Sequence, residues 1–149
     1  MNKILSGKRE VKLLFTPEKL TNIYSDEIFV FGSNESGFHG KGAAKQALNY
    51  GAIYCKGIGL VGNTYAIPTK DINVKTLPLE KISAYVKEFI EFTKTTPDKI
   101  YLVTKIGCGL AGYTVNDIAP LFAEANGLEN IILPEEFVKY GTEKKLIGY

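Results

Sequence analysis

The sequence of 149 residues contains only two cysteines and one histidine. Cys55 and Cys108 show no C-x-x-C or paired-histidine spacing, so they indicate neither a disulfide framework nor a zinc site. We therefore expect no metal and no cofactor. This cysteine usage fits a reducing compartment best, and we expect the cytoplasm.

The sequence also lacks an excess of one charge and any long apolar run. Its 18 basic and 16 acidic side chains leave a formal net charge of +2 at pH 7. That charge is too small for the basic face that duplex nucleic acid requires. No stretch approaches 18 apolar residues and residues 1–10 are polar, so neither a membrane span nor a signal peptide is expected. Oligomeric state is left open.

What the sequence does contain is an alternation of strand-like and helix-like segments, in a length that suits one domain over residues 1–149. Short β-branched and aromatic runs predict strands at residues 11–15, 27–31, 64–67, 100–106 and 130–133. Apolar residues at helical spacing predict helices at residues 43–48 and 79–93, and residues 17–23 suit a further short helix. A third helix, with its apolar stripe at residues 118–125, is expected to begin between Thr114 and Asp117 because Pro120 is tolerated only near a helix start. Pro68 is expected to close the third strand. The alternation predicts a layered α/β sandwich with parallel pairing.

The pattern G-x-G-x-x-G occurs twice, at residues 57–62 and 107–112. The second copy follows a predicted buried strand and opens onto a helix, so its amides and the helix dipole can meet an anion. Glycine suits such a loop because a Cβ would keep phosphate oxygens away from the backbone. A tight turn without a ligand is the alternative, and for the first copy, which precedes a strand, it is equally good.

Two segments resemble the macrodomain family. Phe31-Gly32-Ser33-Asn34, followed by Gly40-Lys41-Gly42-Ala43-Ala44 at a helix start, resembles that family's strand ending in asparagine, glycine loop and small-residue helix. Gly107-Cys108-Gly109-Leu110-Ala111-Gly112-Tyr113 is similar to its second phosphate-binding loop. The resemblance implies a three-layer α/β/α sandwich with a mixed, mainly parallel central sheet. Where typical macrodomains hold adenine with an aspartate, the matching stretch here is Phe15-Thr16-Pro17-Glu18.

The same resemblance implies a ligand and its contacts. The ligand is ADP-ribose or a related phosphate-bearing nucleotide, and an ADP-ribosyl or phosphoryl bond in it is a candidate for hydrolysis. The implied ligand-binding residues are Gly32, Ser33, Gly40, Lys41, Gly42 and Ala43 in the first loop and Gly107, Cys108, Gly109, Leu110, Ala111, Gly112 and Tyr113 in the second. Asn34 would face the distal ribose.

Three residues are candidates for activating water: Asn34, His39 and Asp71. An imidazole titrates near neutral pH, which suits His39 to acid, base or phosphate-donor work. Each candidate has a plainer alternative: a turn-forming Asn34, a solvent-exposed His39, and a surface ion pair for Asp71. Two further alternatives are a non-catalytic nucleotide sensor or sequestering protein, and a transferase with Cys108 as nucleophile and His39 as base.

Overall fold

The computed structural model describes residues 3–139. The strands are β1 (Lys3–Leu5), β2 (Asn22–Tyr24), β3 (Glu27–Asn34), β4 (Gly59–Val61), β5 (Thr64–Lys70), β6 (Ile100–Val103) and β7 (Ile131–Ile132). The helices are α1 (Gly42–Ala47), α2 (Leu79–Lys94) and α3 (Val115–Ile118), and 3-10 segments follow α1 at Leu48–Tyr50 and α3 at Ala119–Ala125. Residues 135–139 are helical. The single-domain prediction for residues 1–149 reaches beyond the described residues and stays a prediction.

Five strands form one sheet in the order β4-β5-β3-β6-β7. The central strand β3 pairs in parallel with β5 and β6, and β7 is parallel to β6. Only β4 is antiparallel to its neighbour β5. The prediction of an α/β fold with a mixed, mainly parallel sheet is thus confirmed. Because β3, β5 and β6 point the same way, the segments that follow them meet at one edge of the sheet.

Both faces of the sheet are covered, which explains why the central strands are continuous apolar runs. Side chains alternate between the faces along a strand. In β3, Val30 joins the core under α2, together with Val86 and Phe89, whereas Phe31 joins the core on the opposite face, with Ala47 of α1. The amphipathic stripe predicted after Pro78 is therefore core packing.

Two predicted elements are wrong. Residues 11–15 are irregular and pair with no strand, and Val11 and Leu14 are 77% and 85% exposed. Residues 17–23 form no helix, and their end lies in β2, which pairs in parallel with β1.

The boundaries of the other four predicted strands differ from expectation. β3 continues to Asn34, and β7 covers only Ile131–Ile132. The ends of β5 and β6 differ as well. Pro68 lies within β5 and pairs with Ser33 instead of closing the strand. The antiparallel pairing with β4 ends at Ala66, so the missing N–H of Pro68 costs no hydrogen bond on that side. At the other strand, β6 ends at Val103, and residues 104–106 belong to the loop instead.

Candidate functional site

A cleft of about 710 Å³ opens at the carboxyl ends of β3, β5 and β6. Its volume lies in the range of small-molecule sites, roughly 300 to 1,000 Å³. Eleven of the sequence-predicted site residues line it: Gly32, Ser33, Asn34, Gly40, Lys41, Gly42, Ala43, Gly107, Gly109, Leu110 and Ala111. The two loops predicted to bind the ligand therefore meet in one cleft.

The loop after β6 presents backbone amides to this cleft. The amides of Cys108 and Gly112 are already bonded to the carbonyls of Lys105 and Gly109, at 3.2 and 3.0 Å. In contrast, the amides of Gly109, Leu110 and Ala111 have no acceptor within residues 3–139. A Cβ at Gly109 would meet no atom within 4 Å, so packing does not require glycine there. The loop combines free hydrogen-bond donors with an unobstructed approach.

The loop before α1 contributes a second group of amides. No side chain caps the N-terminus of α1 at Lys41, and the first turn of backbone bonding closes only at Lys45, whose amide donates to the Lys41 carbonyl at 3.3 Å. The amides of Gly42, Ala43 and Ala44 consequently lack acceptors in the described part of the chain, and these residues line the cleft.

The side chains of the cleft carry positive charge. Lys41, Lys70 and Lys105 line it, whereas its lining, drawn from residues 3–139, includes no aspartate or glutamate. The Lys105 ammonium contacts the Glu136 carboxylate and lies 2.9 Å from that of Glu18, and both contacts raise the pKa of Lys105. Two carboxylates therefore compensate the charge of Lys105, and Lys41 and Lys70 remain as the cleft lysines with no ion pair among the described residues.

A second cavity of about 460 Å³ adjoins the cleft and shares Ala43, Thr104 and Lys105 with it. Its walls include the stretch Phe15-Thr16-Pro17-Glu18, the ring of Phe29 on the sheet, and Glu135 and Glu136 near the end of the described chain. Lys105 thus lies at the boundary between a cationic cleft and a cavity with acidic and aromatic walls.

Asn34 lines the cleft, but its side-chain amide is mostly engaged within its own loop. Its Oδ1 accepts hydrogen bonds from the Phe38 amide and the Ser36 hydroxyl, both at 2.7 Å. Its Nδ2 donates to the Phe38 carbonyl at 2.9 Å. Asn34 therefore shapes the first loop, as in the turn-forming alternative, and one N–H of its amide is left for a ligand.

His39 is fully buried and does not line the cleft, so the alternative of a solvent-exposed histidine is wrong. Its Nε2 faces the carbonyls of Ile53 and Lys56 at 3.0 and 3.2 Å and therefore carries the proton, while Nδ1 has no partner among the described residues. The ring packs edge-on against Phe31 at 5.5 Å. His39 links the first loop to residues 53–56 and is placed to position that loop.

Asp71 also lies outside the cleft lining. Its Oδ1 accepts hydrogen bonds from the amides of Asn73 and Lys75, at 2.8 and 3.0 Å. The carboxylate thus closes the tight loop after β5, an arrangement that differs from both the catalytic prediction and a surface ion pair.

Three residues of the second predicted loop do not line the cleft. Cys108 packs against the core under α2, and burial raises the pKa of its thiol, which favours the unreactive protonated form. Tyr113 packs against the same core and donates its hydroxyl hydrogen to the Leu77 carbonyl at 2.6 Å. Gly112 adopts a φ of +87° and does not line the cleft. Since Phe31 and His39 lie at the opposite face of the sheet, the structure does not bring Cys108 and His39 together.

The expected role of the helix dipole at the second loop is also not realised. Helix α3 has four residues and begins after Thr114, whose hydroxyl accepts from the Asp117 amide while the Asp117 carboxylate accepts from the Thr114 amide. The capping box thus satisfies the amides of Thr114 and Asp117, and none of the helix residues lines the cleft.

Sequence reasoning missed several lining residues, namely Phe38, Ala44, Thr69, Val74, Thr104, Lys105 and Ile106. Thr104 and Lys105 were hidden because the apolar run predicts a strand as far as residue 106. A usable signal was present, since residues at the carboxyl end of a buried parallel strand, just before a glycine loop, belong to the ligand edge of such sheets.

The first G-x-G-x-x-G motif has no residue in the cleft lining. A Cβ at Gly57 would lie 1.9 Å from the Asn34 carbonyl oxygen, and one at Gly62 would lie 2.9 Å from the Cα of Gly51. This copy is required for close backbone packing, as the turn alternative predicts.

Comparison of the chain with models of protein families, with curated proteins and with solved structures finds no match. Within residues 3–139, no helix has the length and apolar character needed to cross a membrane. The same residues hold no group of three or more histidine, cysteine, aspartate or glutamate side chains suited to a metal ion.

Proposed function

We propose that this chain is a macrodomain-like protein that binds a phosphate-bearing nucleotide, ADP-ribose or a close derivative, with the diphosphate between its two loops. The observation that carries the proposal is the pair of unsatisfied amide groups, at Gly42–Ala44 and Gly109–Ala111, lining one lysine-bearing cleft. Gly42, Gly109 and Leu110 are exposed and Ala44 is buried, so the amides of the exposed residues are accessible donors that pair with water or with a ligand.

Phosphate chemistry fits these groups better than other anions do. A diphosphate offers several acceptor oxygens, so it can accept from amides on both sides of the cleft at once. Lys41 and Lys70 supply compensating charge along the same walls, whereas the charge of Lys105 is already paired with Glu18 and Glu136. A carboxylate, with two oxygens, would satisfy only part of this set.

The adjoining cavity supports a ligand longer than a diphosphate. It begins at Lys105, where the diphosphate cleft ends, and its Phe15–Glu18 wall corresponds to the stretch that holds adenine in the family resembled. The Phe15 ring offers stacking area for a base, and Glu18 offers an acceptor for an exocyclic amino group. A ligand with a base on one side of its diphosphate and a second ribose on the other would fill both spaces.

A second candidate function is binding without turnover, as a nucleotide sensor or sequestering protein. One observation favours it: the described residues that line the cleft include no carboxylate, imidazole or thiol that could act as a general base. His39, Asp71 and Cys108 all lie outside the lining. Hydrolysis would have to rely on water held by Asn34 and the backbone.

Calorimetric titration with ADP-ribose, ADP, AMP and pyrophosphate tests the proposal. We expect ADP-ribose to bind most tightly and to raise the melting temperature by mass action. Absence of binding by all four ligands would contradict the proposed function. Release of inorganic phosphate from ADP-ribose 1″-phosphate then separates hydrolysis from binding without turnover.

A further inference from the structure

The loop after β5 contains a strained residue at the mouth of the cleft. Val74 adopts a φ of 62°, in the left-handed region that β-branched side chains avoid. Within residues 3–139 the only other non-glycine residue with a positive φ is Cys55, at 72°, and Cys55 does not line the cleft.

Surrounding hydrogen bonds hold Val74 in this conformation. The Val74 amide donates to the Asp71 carbonyl at 3.0 Å, and the Asp71 amide donates to the Lys75 carbonyl at 2.7 Å. The Asp71 carboxylate accepts from two further amides of the same loop. The Thr76 hydroxyl then donates to the Ala111 carbonyl at 2.9 Å, which ties the loop to the second glycine loop. Strain of this kind persists only where the surroundings over-determine it.

Packing in the hydrophobic core does not explain the strained backbone of Val74. Val74 is 45% exposed although it lines the cleft, so its isopropyl group gains little from burial in the protein itself. Phe38 and Leu110, from the other two loops, also line the cleft and are 66% and 68% exposed. Three loops thus each present one exposed apolar side chain around a floor of amides and ammonium groups.

We propose that Val74 is a specificity-determining residue whose strained loop holds an apolar surface, together with Phe38 and Leu110, against the second ribose of the bound nucleotide, on the side of the diphosphate away from the base. This inference rests on the proposed function and extends it. Amides and lysines recognise the phosphates, whereas the apolar surface selects ligands that carry a ring next to the diphosphate. Simple polyphosphates gain nothing from it.

The test compares Val74→Gly and Val74→Ala with the matched control Cys55→Gly, which relieves the same backbone strain away from the cleft. ADP-ribose and pyrophosphate are titrated into each variant, and each melting temperature is measured without ligand. We expect both Val74 variants to weaken ADP-ribose binding by about tenfold and to leave pyrophosphate binding within about twofold. Both glycine variants should melt at a higher temperature than the wild type.

Each result has a defined meaning. Unchanged ADP-ribose affinity in both Val74 variants, with binding intact in the wild type, overturns the specificity role alone. Equal weakening of pyrophosphate and ADP-ribose also overturns it, because the effect then lies on the phosphates. If the melting temperature rises for Cys55→Gly but not for Val74→Gly, the claim that the Val74 backbone is strained is wrong. Absence of ADP-ribose binding in the wild type overturns the proposed function and this inference together.

Discussion

The two copies of G-x-G-x-x-G are identical as patterns and opposite in use. At residues 57–62, Gly57 and Gly62 let backbones approach each other, and a Cβ at Gly57 would overlap the Asn34 carbonyl oxygen. At residues 107–112 the space beside Gly109 is empty, and three consecutive amides from Gly109 onwards lack acceptors within the described residues. The first copy is needed for backbone packing, whereas the second leaves backbone amides accessible to a ligand.

The difference shows that the role of a glycine motif depends on what its backbone faces, another segment of the chain or an open cleft. The first copy lies between α1 and β5, where the chain packs on itself. The second follows β6, at the edge where three parallel strands end, and none of residues 3–139 fills the cleft in front of it. Substitutions in the two copies of the motif should therefore have different effects, on stability in the first copy and on ligand binding in the second.

The largest effect is expected for Gly57→Ala. Its Cβ would lie 1.9 Å from the Asn34 oxygen and 2.9 Å from the Gly37 nitrogen, and both are backbone atoms that cannot move aside alone. We expect a loss of about 3 kcal/mol or more in the free energy of unfolding, measured by urea denaturation. Stability within about 0.5 kcal/mol of the wild type would erase the contrast between the motifs.

Gly109→Val should affect binding and spare stability. The valine side chain meets no protein atom at its Cβ but would occupy the ligand's approach to the amides. Hydrogen bonds to charged groups contribute about 1.5–3 kcal/mol each, so ADP-ribose affinity should fall by more than about tenfold. Gly109→Ala is the matched control and should bind with intermediate affinity. Full affinity in the valine variant would remove this loop from the site.

A smaller effect is expected for Lys41→Gln. Lys41 lines the cleft, whereas Lys45, one helical turn further along α1, is exposed and does not. We expect ADP-ribose affinity to fall about threefold to tenfold at low salt for Lys41→Gln and to stay unchanged for Lys45→Gln. Equal losses for the two variants would reduce the effect to overall charge.

The smallest and most general effect is on stability at alkaline pH. Burial raises the pKa of Tyr65 to about 12, and burial together with the hydrogen bond to Glu35 raises that of Tyr85 to about 12. The folded state therefore keeps protons that the unfolded chain loses near pH 10. The free energy of unfolding should fall as the pH rises from about 10 to 12, and the fall should be smaller for Tyr85→Phe. A flat profile over this range would contradict these pKa shifts.

Much of the fold follows from local sequence. The apolar run of β3, the stripe of α2 and the stop at Gly51, with a φ of 105°, each carry a signal that tertiary contacts reinforce. The run at residues 11–15 carries a strand signal too, but whether a strand forms depends on a partner edge, and that depends on the whole topology. A proline predicts the end of a strand, and the sequence does not show that the pairing of β5 with β4 stops before Pro68.

The site is less predictable than the fold for the same reason. The loops after β3 and β6 are recognisable from their glycines, and eleven predicted residues line the cleft. His39 is in one of these loops, yet its ring is buried, because its Nε2–H donates hydrogen bonds to the carbonyls of residues 53 and 56. Lys105 was missed because the apolar run predicts a strand through residue 106, and its ion pairs with Glu18 and Glu136 join segments far apart in the sequence.

The most direct test of the central claim is a titration of isotope-labelled protein with ADP-ribose, followed through the backbone amide resonances. We predict large shifts for the amides of Gly42–Ala44 and Gly109–Ala111, and none for Gly57, Gly59 and Gly62. Shifts centred on residues 57–62, or saturating binding that leaves residues 109–111 unmoved, would contradict the account.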